Sequence, residues 1–128
     1  MLSRMVNYHN KTIKDEKGAL KQGHEYKTLT NMFGYDEIAV LIRWRDGRLH
    51  DDGELPAVEF QDCHVEHYRH GLLHNEEIDL DGNLKPAIIT DFAKKFEYYL
   101  NGRQVSQNSS FSVWNYVVVF IIFVKYQE

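Results

Sequence analysis

Short segments rich in β-branched and aromatic residues alternate with turn sequences through the middle of the chain. The segments are EIAVLIRW (37–44), AVEF (57–60), HVEHY (64–68), PAIIT (86–90) and KKFEYYL (94–100). Such composition is typical of β-strands. No window of eleven or more residues in this region carries an apolar stripe at helical spacing. The pattern therefore predicts a mainly β fold, an antiparallel meander of hairpins.

Three dipeptides mark the tight turns of this meander. Asp-Gly at 46–47, His-Gly at 70–71 and Asn-Gly at 101–102 each follow a strand-like segment. Asp-Gly and Asn-Gly are the strongest short-range hairpin signals, because the two-residue turn requires positive φ at both central positions. We expect a hairpin at each of the three dipeptides.

Two stretches of the chain are similar to each other. WRDGRLHDDGELPAVEF and YRHGLLHNEEIDLDGNLKPAII share an aromatic start, a turn glycine, a histidine, an acidic loop and a Pro-Ala pair. Gly47 and Gly71 are 24 residues apart, and so are His50 and His74. A partial third copy, YLNGRQV, follows. The spacing predicts a hairpin repeat whose length changes are confined to one loop.

These residues resemble a short repeat of uncharacterised bacterial, phage and giant-virus proteins that is often likened to the MORN repeat. The resemblance covers residues 44–103 and implies β-hairpin repeats and an interaction surface, with no catalytic residue. The matching positions are Trp44, Asp46, Gly47, His50, Asp52, Gly53, Pro56 and Ala57 in the first copy, Tyr68, Gly71, His74, Asp81, Gly82, Pro86 and Ala87 in the second, and Tyr99, Asn101 and Gly102 in the third.

The chain divides by composition into four parts. Residues 1–30 are predicted to form a basic N-terminal arm or edge hairpin, with a short helix over 14–22 as an alternative. Residues 31–105 form the hairpin-repeat domain, and 106–110 a polar linker.

The last part, residues 111–128, is an apolar segment in which Asn115 is the one polar residue between Val113 and Val124. A membrane-spanning helix needs about 20 apolar residues, so this run predicts a long buried C-terminal strand or a homo-oligomer interface. A membrane-associated tail over 111–126 is the alternative.

Charge and cysteine content narrow the function classes. Residues 46–81 carry eleven acidic residues against two basic ones, within a chain of formal net charge −4. An acidic surface repels nucleic acid and favours a basic protein partner. The single cysteine, and an N-terminus without the apolar core of a signal peptide, predict a cytoplasmic protein.

One cysteine and four histidines lie within CHVEHYRHGLLH (63–74). On a helix, Cys63, His67, His70 and His74 would share one face and could hold zinc. On a strand, His64, Glu66 and Tyr68 face away from Cys63 and His67, which separates the ligands. The Gly71 turn favours strands. A metal-binding protein or hydrolase built on these histidines is therefore the alternative, and no metal, cofactor or catalytic residue is assigned.

The sequence favours a non-enzymatic protein-interaction module. Its specific form would be an inhibitor from a phage or mobile element that occupies a basic, nucleic-acid-binding groove of a host defence protein. Aromatic and arginine side chains at hairpin tips would anchor the partner, and acidic loops would steer it. The candidate partner-binding residues are Trp44, Arg45, Arg48, Asp51, Asp52, Glu54, Tyr68, Arg69, Glu76, Glu77, Asp79 and Asp81.

Overall fold

The computed structural model describes residues 1–30, 37–90 and 92–107. These residues contain a single-turn 3-10 helix, Val6–Tyr8, and no α-helix. The strands are β1 (Gly23–Thr30), β2 (Glu37–Arg45), β3 (Arg48–Leu49), β4 (Val58–Phe60), β5 (Val65–Glu66), β6 (Tyr68–Arg69), β7 (Leu72–Leu73), β8 (Ile88–Thr90), β9 (Lys95–Leu100) and β10 (Arg103–Val105).

The strands pair in an antiparallel meander. The main sheet has the order β1-β2-β4-β5-β8-β9-β10, and β3 folds back on the end of β2. Strands β6 and β7 form a separate two-stranded hairpin between β5 and β8. Every strand pairing among the described residues is antiparallel, which confirms the prediction of a mainly β, antiparallel fold.

The three x-Gly dipeptides all form the expected tight turns. Each joins two strands that pair directly across it: β2 with β3, β6 with β7, and β9 with β10. Both central residues of each turn have φ between 49° and 81°, as a type I′ turn requires. The central pairs are Asp46 and Gly47, His70 and Gly71, and Asn101 and Gly102.

One face of the sheet is buried beneath the N-terminal residues. Its members come from alternate positions of the strands: Val40, Ile42, Trp44, Val58, Phe60, Tyr68, Ile88 and Tyr99. Met5 is only 1% exposed and packs with them, together with Leu2, Tyr8 and Ile13. The first thirteen residues thus supply part of the core.

The remaining N-terminal residues end in β1, the first strand in the order of the sheet that the described residues form. β1 pairs with β2 along its whole length, from Gly23 opposite Trp44 to Thr30 opposite Glu37. Its side chains are mostly exposed, which explains why hydrophobicity gave so weak a signal there.

The alternative of a short helix over 14–22 is wrong. Lys14 and Leu20 form an antiparallel bridge around a loop. Oδ1 of Asp15 accepts hydrogen bonds from the backbone N–H groups of Lys17 and Ala19, at 2.8 and 3.0 Å. An aspartate whose side chain accepts hydrogen bonds from the N–H groups of the following residues favours a turn over a helix. Gly18, in the same loop, has a φ of +83°, which a helix does not allow.

Several sequence predictions lie outside the described residues. They concern the linker beyond residue 107, the apolar C-terminal strand 111–128, and the membrane or homo-oligomer role of 111–126. In the part of the chain that is described, no helix is long and apolar enough to cross a membrane.

Candidate interaction surface

The two aromatic residues predicted as exposed anchors are instead part of the core. Trp44 is 5% exposed and Tyr68 1%. Trp44 Nε1 donates a hydrogen bond to Glu25 at 2.8 Å, and the Tyr68 hydroxyl donates to Glu66 at 2.7 Å. The prediction of exposure was wrong because these residues continue the inward-facing alternation of their strands. The arginines that follow them, Arg45 and Arg69, lie nearer the surface.

The side chain of Asp51 makes internal hydrogen bonds that stabilise the first repeat. Its Oδ1 accepts hydrogen bonds from the N–H groups of Ala57 (2.7 Å) and Tyr68 (2.9 Å). Its Oδ2 lies 2.7 Å from Nδ1 of His67. With three donors on one half-buried carboxylate, Asp51 stabilises the fold and has little capacity left for a partner.

Asp79 and Arg48 also have internal roles. Oδ1 of Asp79 accepts from the N–H groups of Asp81 and Asn83, both at 2.9 Å, and so closes the second acidic loop. Arg48 reaches Oγ1 of Thr12 at 3.3 Å and the carbonyl of His70 at 3.4 Å. It connects the N-terminal residues to the second hairpin.

The remaining candidates lie at the surface, some of them in ion pairs. Arg69 contacts Glu76 at 3.1 Å, and Glu77 contacts Lys85 at 3.3 Å. Exposed pairs of this kind contribute less than about 1 kcal/mol and open readily to a partner. The other exposed acidic residues are Asp52, Glu54 and Asp81.

The two acidic loops lie side by side. Gly53 of the first loop and Glu76 and Glu77 of the second line one depression of about 280 Å³. Glu54 and Glu77 line a neighbouring depression together. We refer to Asp52, Glu54, Glu76 and Glu77 as the acidic ridge. Arg45 and Arg69 border the same depression, so the ridge has basic side chains beside it.

The equivalent histidines of the two repeats make equivalent hydrogen bonds. Nδ1 of His50 accepts from the N–H of His70 at 3.0 Å, and Nδ1 of His74 accepts from the N–H of Asn101 at 2.9 Å. In both cases the donor is the first central residue of the next tight turn. Burial is the main cause that lowers the pKa of both histidines, followed by the charges of Arg45 and Arg69 respectively.

The four histidines of 63–74 have different neighbours, as the strand prediction requires. His64 is buried against Glu66, His67 contacts Asp51, and His70 packs against His50 with ring centroids 4.7 Å apart and ring planes tilted by 52°. Cys63 is exposed in a turn, with φ of +67°. Among the described residues, no three His, Cys, Asp or Glu side chains are placed to share a metal ion.

A polar cluster around Glu66 was missed at the sequence level. The carboxylate is fully buried and accepts four hydrogen bonds: from Ser3 Oγ (2.7 Å), Tyr68 OH (2.7 Å), Arg4 N–H (2.8 Å) and His64 Nε2 (2.6 Å). Burial by itself raises the pKa of Glu66, but these hydrogen bonds outweigh it and the pKa is lowered. A charged residue at a core-facing position, between His64 and Tyr68, was the signal available in the sequence.

The Glu66 cluster also includes a serine and a second histidine. Nε2 of His9 lies 2.9 Å from Ser3 Oγ and 2.8 Å from Tyr68 OH. Because both hydroxyls donate to Glu66, a neutral His9 carries its proton on Nε2 and shares that one N–H between the two hydroxyl oxygens, as a donor rather than an acceptor toward Ser3. The arrangement attaches the N-terminal residues to the sheet.

Compared with models of known protein families, with curated protein sequences and with solved structures, the chain matches none.

Proposed function

We propose that this chain is a non-enzymatic protein-interaction module that binds a basic surface of another protein through the acidic ridge. The observation that carries the proposal is the placement of two separate acidic loops around one shared depression, which Gly53 of the first loop and Glu76 and Glu77 of the second line together. Clustered acidic side chains accelerate association with a basic partner and select against acidic ones.

The ridge is presented on a rigid support. Asp51 holds the base of the first loop, and Asn75 holds the second by accepting from Glu77 N–H and donating to the carbonyl of Pro86, both at 3.0 Å. A preorganised loop loses less conformational entropy when it binds. Glu54, Glu76 and Glu77 remain exposed on these fixed bases.

The specific form of the proposal is an inhibitor, encoded by a phage or mobile element, that occupies a basic nucleic-acid-binding groove of a host defence protein in the cytoplasm. The acidic middle region of the chain and the resemblance to MORN-like repeats support this form. The arginines beside the ridge, Arg45 and Arg69, supply side chains of the type that concentrates binding energy at protein interfaces.

The test is affinity capture from the native host with two matched variants. Glu54→Lys/Glu77→Lys reverses two charges of the acidic ridge. Glu16→Lys/Glu37→Lys makes the same change in net charge at exposed acids outside it. We expect the wild type and the second variant to retain a common partner that the first variant loses, with binding weakened by salt. Equal retention by both variants would refute the role of the ridge.

A further inference from the structure

Beside the acidic ridge, two hydrogen-bond donors of the first repeat face each other. Nη1 of Arg45 lies 3.1 Å from Nε2 of His50. Nδ1 of His50 already accepts the hydrogen bond from the backbone N–H of His70. A neutral imidazole carries one N–H, so the proton must be on Nε2, and an arginine has no acceptor to offer. The Arg45–His50 contact therefore lacks the acceptor that both groups require.

Local electrostatics keeps His50 in this form. Burial first, and then the positive charge of Arg45, lower the pKa of His50, so the neutral ring predominates at pH 7. The ring is also fixed in position, because it packs against the tilted ring of His70 and its Nδ1 accepts a hydrogen bond from a turn N–H. The Nε2–H donor therefore has a fixed direction.

The second repeat shows the same donor pair with an anion beside it. Arg69 and His74 occupy the positions of Arg45 and His50, and the carboxylate of Glu76 lies 3.1 Å from Arg69 Nη1 and 3.5 Å from His74 Nε2. Nε2 of His74 is buried and makes no hydrogen bond within the described residues, because Glu76 is at ionic distance but not in hydrogen-bonding geometry. The second repeat thus supplies its own carboxylate.

The first repeat has no such internal carboxylate. The residue equivalent to Glu76 is the shorter Asp52, and no hydrogen bond or ion pair joins it to Arg45 within the described chain. The neighbouring Asp51 is held by three donors. A depression of about 210 Å³ remains, lined by Arg43, Arg45 and His50 together with Trp44, Gly23, His24, Asp51 and Asp52.

We infer that Arg45 and His50 form a binding site for one carboxylate group of a ligand, in particular an acidic side chain of a protein partner. The guanidinium and the Nε2–H donate to the two carboxylate oxygens, a charge-assisted arrangement that Arg69, His74 and Glu76 reproduce approximately within the chain. Asp51 and Asp52 also line the depression, and they disfavour a phosphate dianion more strongly than a carboxylate, because the dianion carries more negative charge. The site goes beyond the acidic ridge, since it requires an acidic residue on the partner rather than a basic one.

The test uses acetate as the probe and the histidine ring signals of the full chain in heteronuclear NMR at pH 7. We expect a saturable shift of the His50 ring with acetate but not with chloride at equal ionic strength, while the buried ring of His64 does not move. Arg45→Gln, at an exposed position, should weaken acetate binding about tenfold. Glu76→Ala should create a second acetate response, at His74.

The NMR results either support or overturn the carboxylate site at Arg45 and His50. A His50 response that saturates, and that Arg45→Gln weakens, supports the site, and an additional His74 response in Glu76→Ala supports the equivalence of the repeats. No saturation, an unchanged response in Arg45→Gln, or tighter binding of inorganic phosphate than of acetate overturns it. Because acetate replaces the protein partner, failure here leaves the acidic-ridge proposal intact, and loss of the ridge leaves the acetate response intact.

Discussion

Ser3 donates a 2.7 Å hydrogen bond to Oε1 of Glu66, across 63 positions of the chain. The other carboxylate oxygen accepts from the backbone N–H of Arg4 at 2.8 Å. The N-terminal residues are therefore attached to the middle of the sheet by a buried charge, and Met5 packs into the core directly after this connection. The attachment depends on a carboxylate that has no access to water.

Removing the Glu66 carboxylate should destabilise the protein strongly. Glu66→Leu leaves four donors around the site without an acceptor, and we expect a loss of about 3 to 5 kcal/mol in the free energy of unfolding. Ser3→Ala removes the hydrogen bonds that Ser3 Oγ makes with Glu66, His9 and Met5 N–H, but leaves the other three donors to Glu66 in place, and should cost about 1 to 2 kcal/mol. Urea denaturation measures both. Equal effects of the two substitutions would contradict the central role of Glu66.

Stability should fall as the pH is lowered from neutral, because three histidines have lowered pKa values in the folded state. Burial is the largest cause for His9, His50 and His74. The unfolded chain then binds more protons than the folded one, so the stability contribution is complete above pH 6.5, the ordinary value, and is lost as the pH falls through the folded pKa. Glu66, whose pKa is also lowered, adds a second loss below its ordinary value of 4.5.

The measurement is the urea midpoint at half-unit steps from pH 8 to pH 4. We expect two successive decreases, one below pH 6.5 and one below pH 4.5. His74→Gln should reduce the first decrease and leave the second. A midpoint that is constant between pH 7 and pH 5.5 would contradict the histidine contribution.

The tight-turn glycine Gly47 should tolerate alanine much less well than Gly18. Both have positive φ, +79° and +83°, which costs an L-residue about 1 to 2 kcal/mol. A Cβ on Gly47 would lie 2.8 Å from the carbonyl oxygen of Ile13 and 2.9 Å from Cγ2 of Thr12, whereas one on Gly18 would meet no described atom within 4 Å. Overpacking adds about 1 to 3 kcal/mol.

Thermal unfolding of Gly47→Ala and Gly18→Ala therefore separates conformational strain from close packing. The melting temperature of Gly47→Ala should fall further than that of Gly18→Ala. Equal decreases would show that the N-terminal residues do not lie against the first hairpin.

The turns and the strand faces could be predicted from the sequence because both depend on neighbouring residues. Asp46-Gly47 and its two counterparts specify positive φ locally, and alternation alone places His64, Glu66 and Tyr68 on one face. The same alternation, from Val40 through Ile42 to Trp44, is consistent with the burial of Trp44 and contradicts the prediction that Trp44 is an exposed anchor.

The covering of the sheet could not be predicted from local patterns. Met5 is buried by residues far away in the chain, and Ser3 has no feature that points to Glu66. The hydrogen bonds of Asp51 in the candidate site also could not be predicted from local patterns. Asp51 looked like a free surface acid, and only the fold brings the N–H groups of Ala57 and Tyr68 to its carboxylate.

The role of Asp51 predicts an asymmetry between two substitutions. The second repeat carries Asn75 at this position, where Oδ1 accepts from Glu77 N–H at 3.0 Å. Asp51→Asn keeps an oxygen for the N–H groups of Ala57 and Tyr68 and should cost about 1 kcal/mol, whereas Asp51→Lys loses all three hydrogen bonds and should cost about 3 kcal/mol or more.

Chemical denaturation of Asp51→Asn and Asp51→Lys, with Asp52→Lys as the control, tests this assignment. Asp52 is exposed and next in sequence, and no hydrogen bond of its side chain is present in the described chain, so its reversal should change stability by less than about 0.5 kcal/mol. If Asp51→Lys is as stable as the wild type, Asp51 is not needed for the fold and is again a candidate partner-binding residue. If instead that variant unfolds, its failure to bind a partner reports the loss of the fold, and only reversals at Asp52, Glu54 and Glu77 report the acidic ridge.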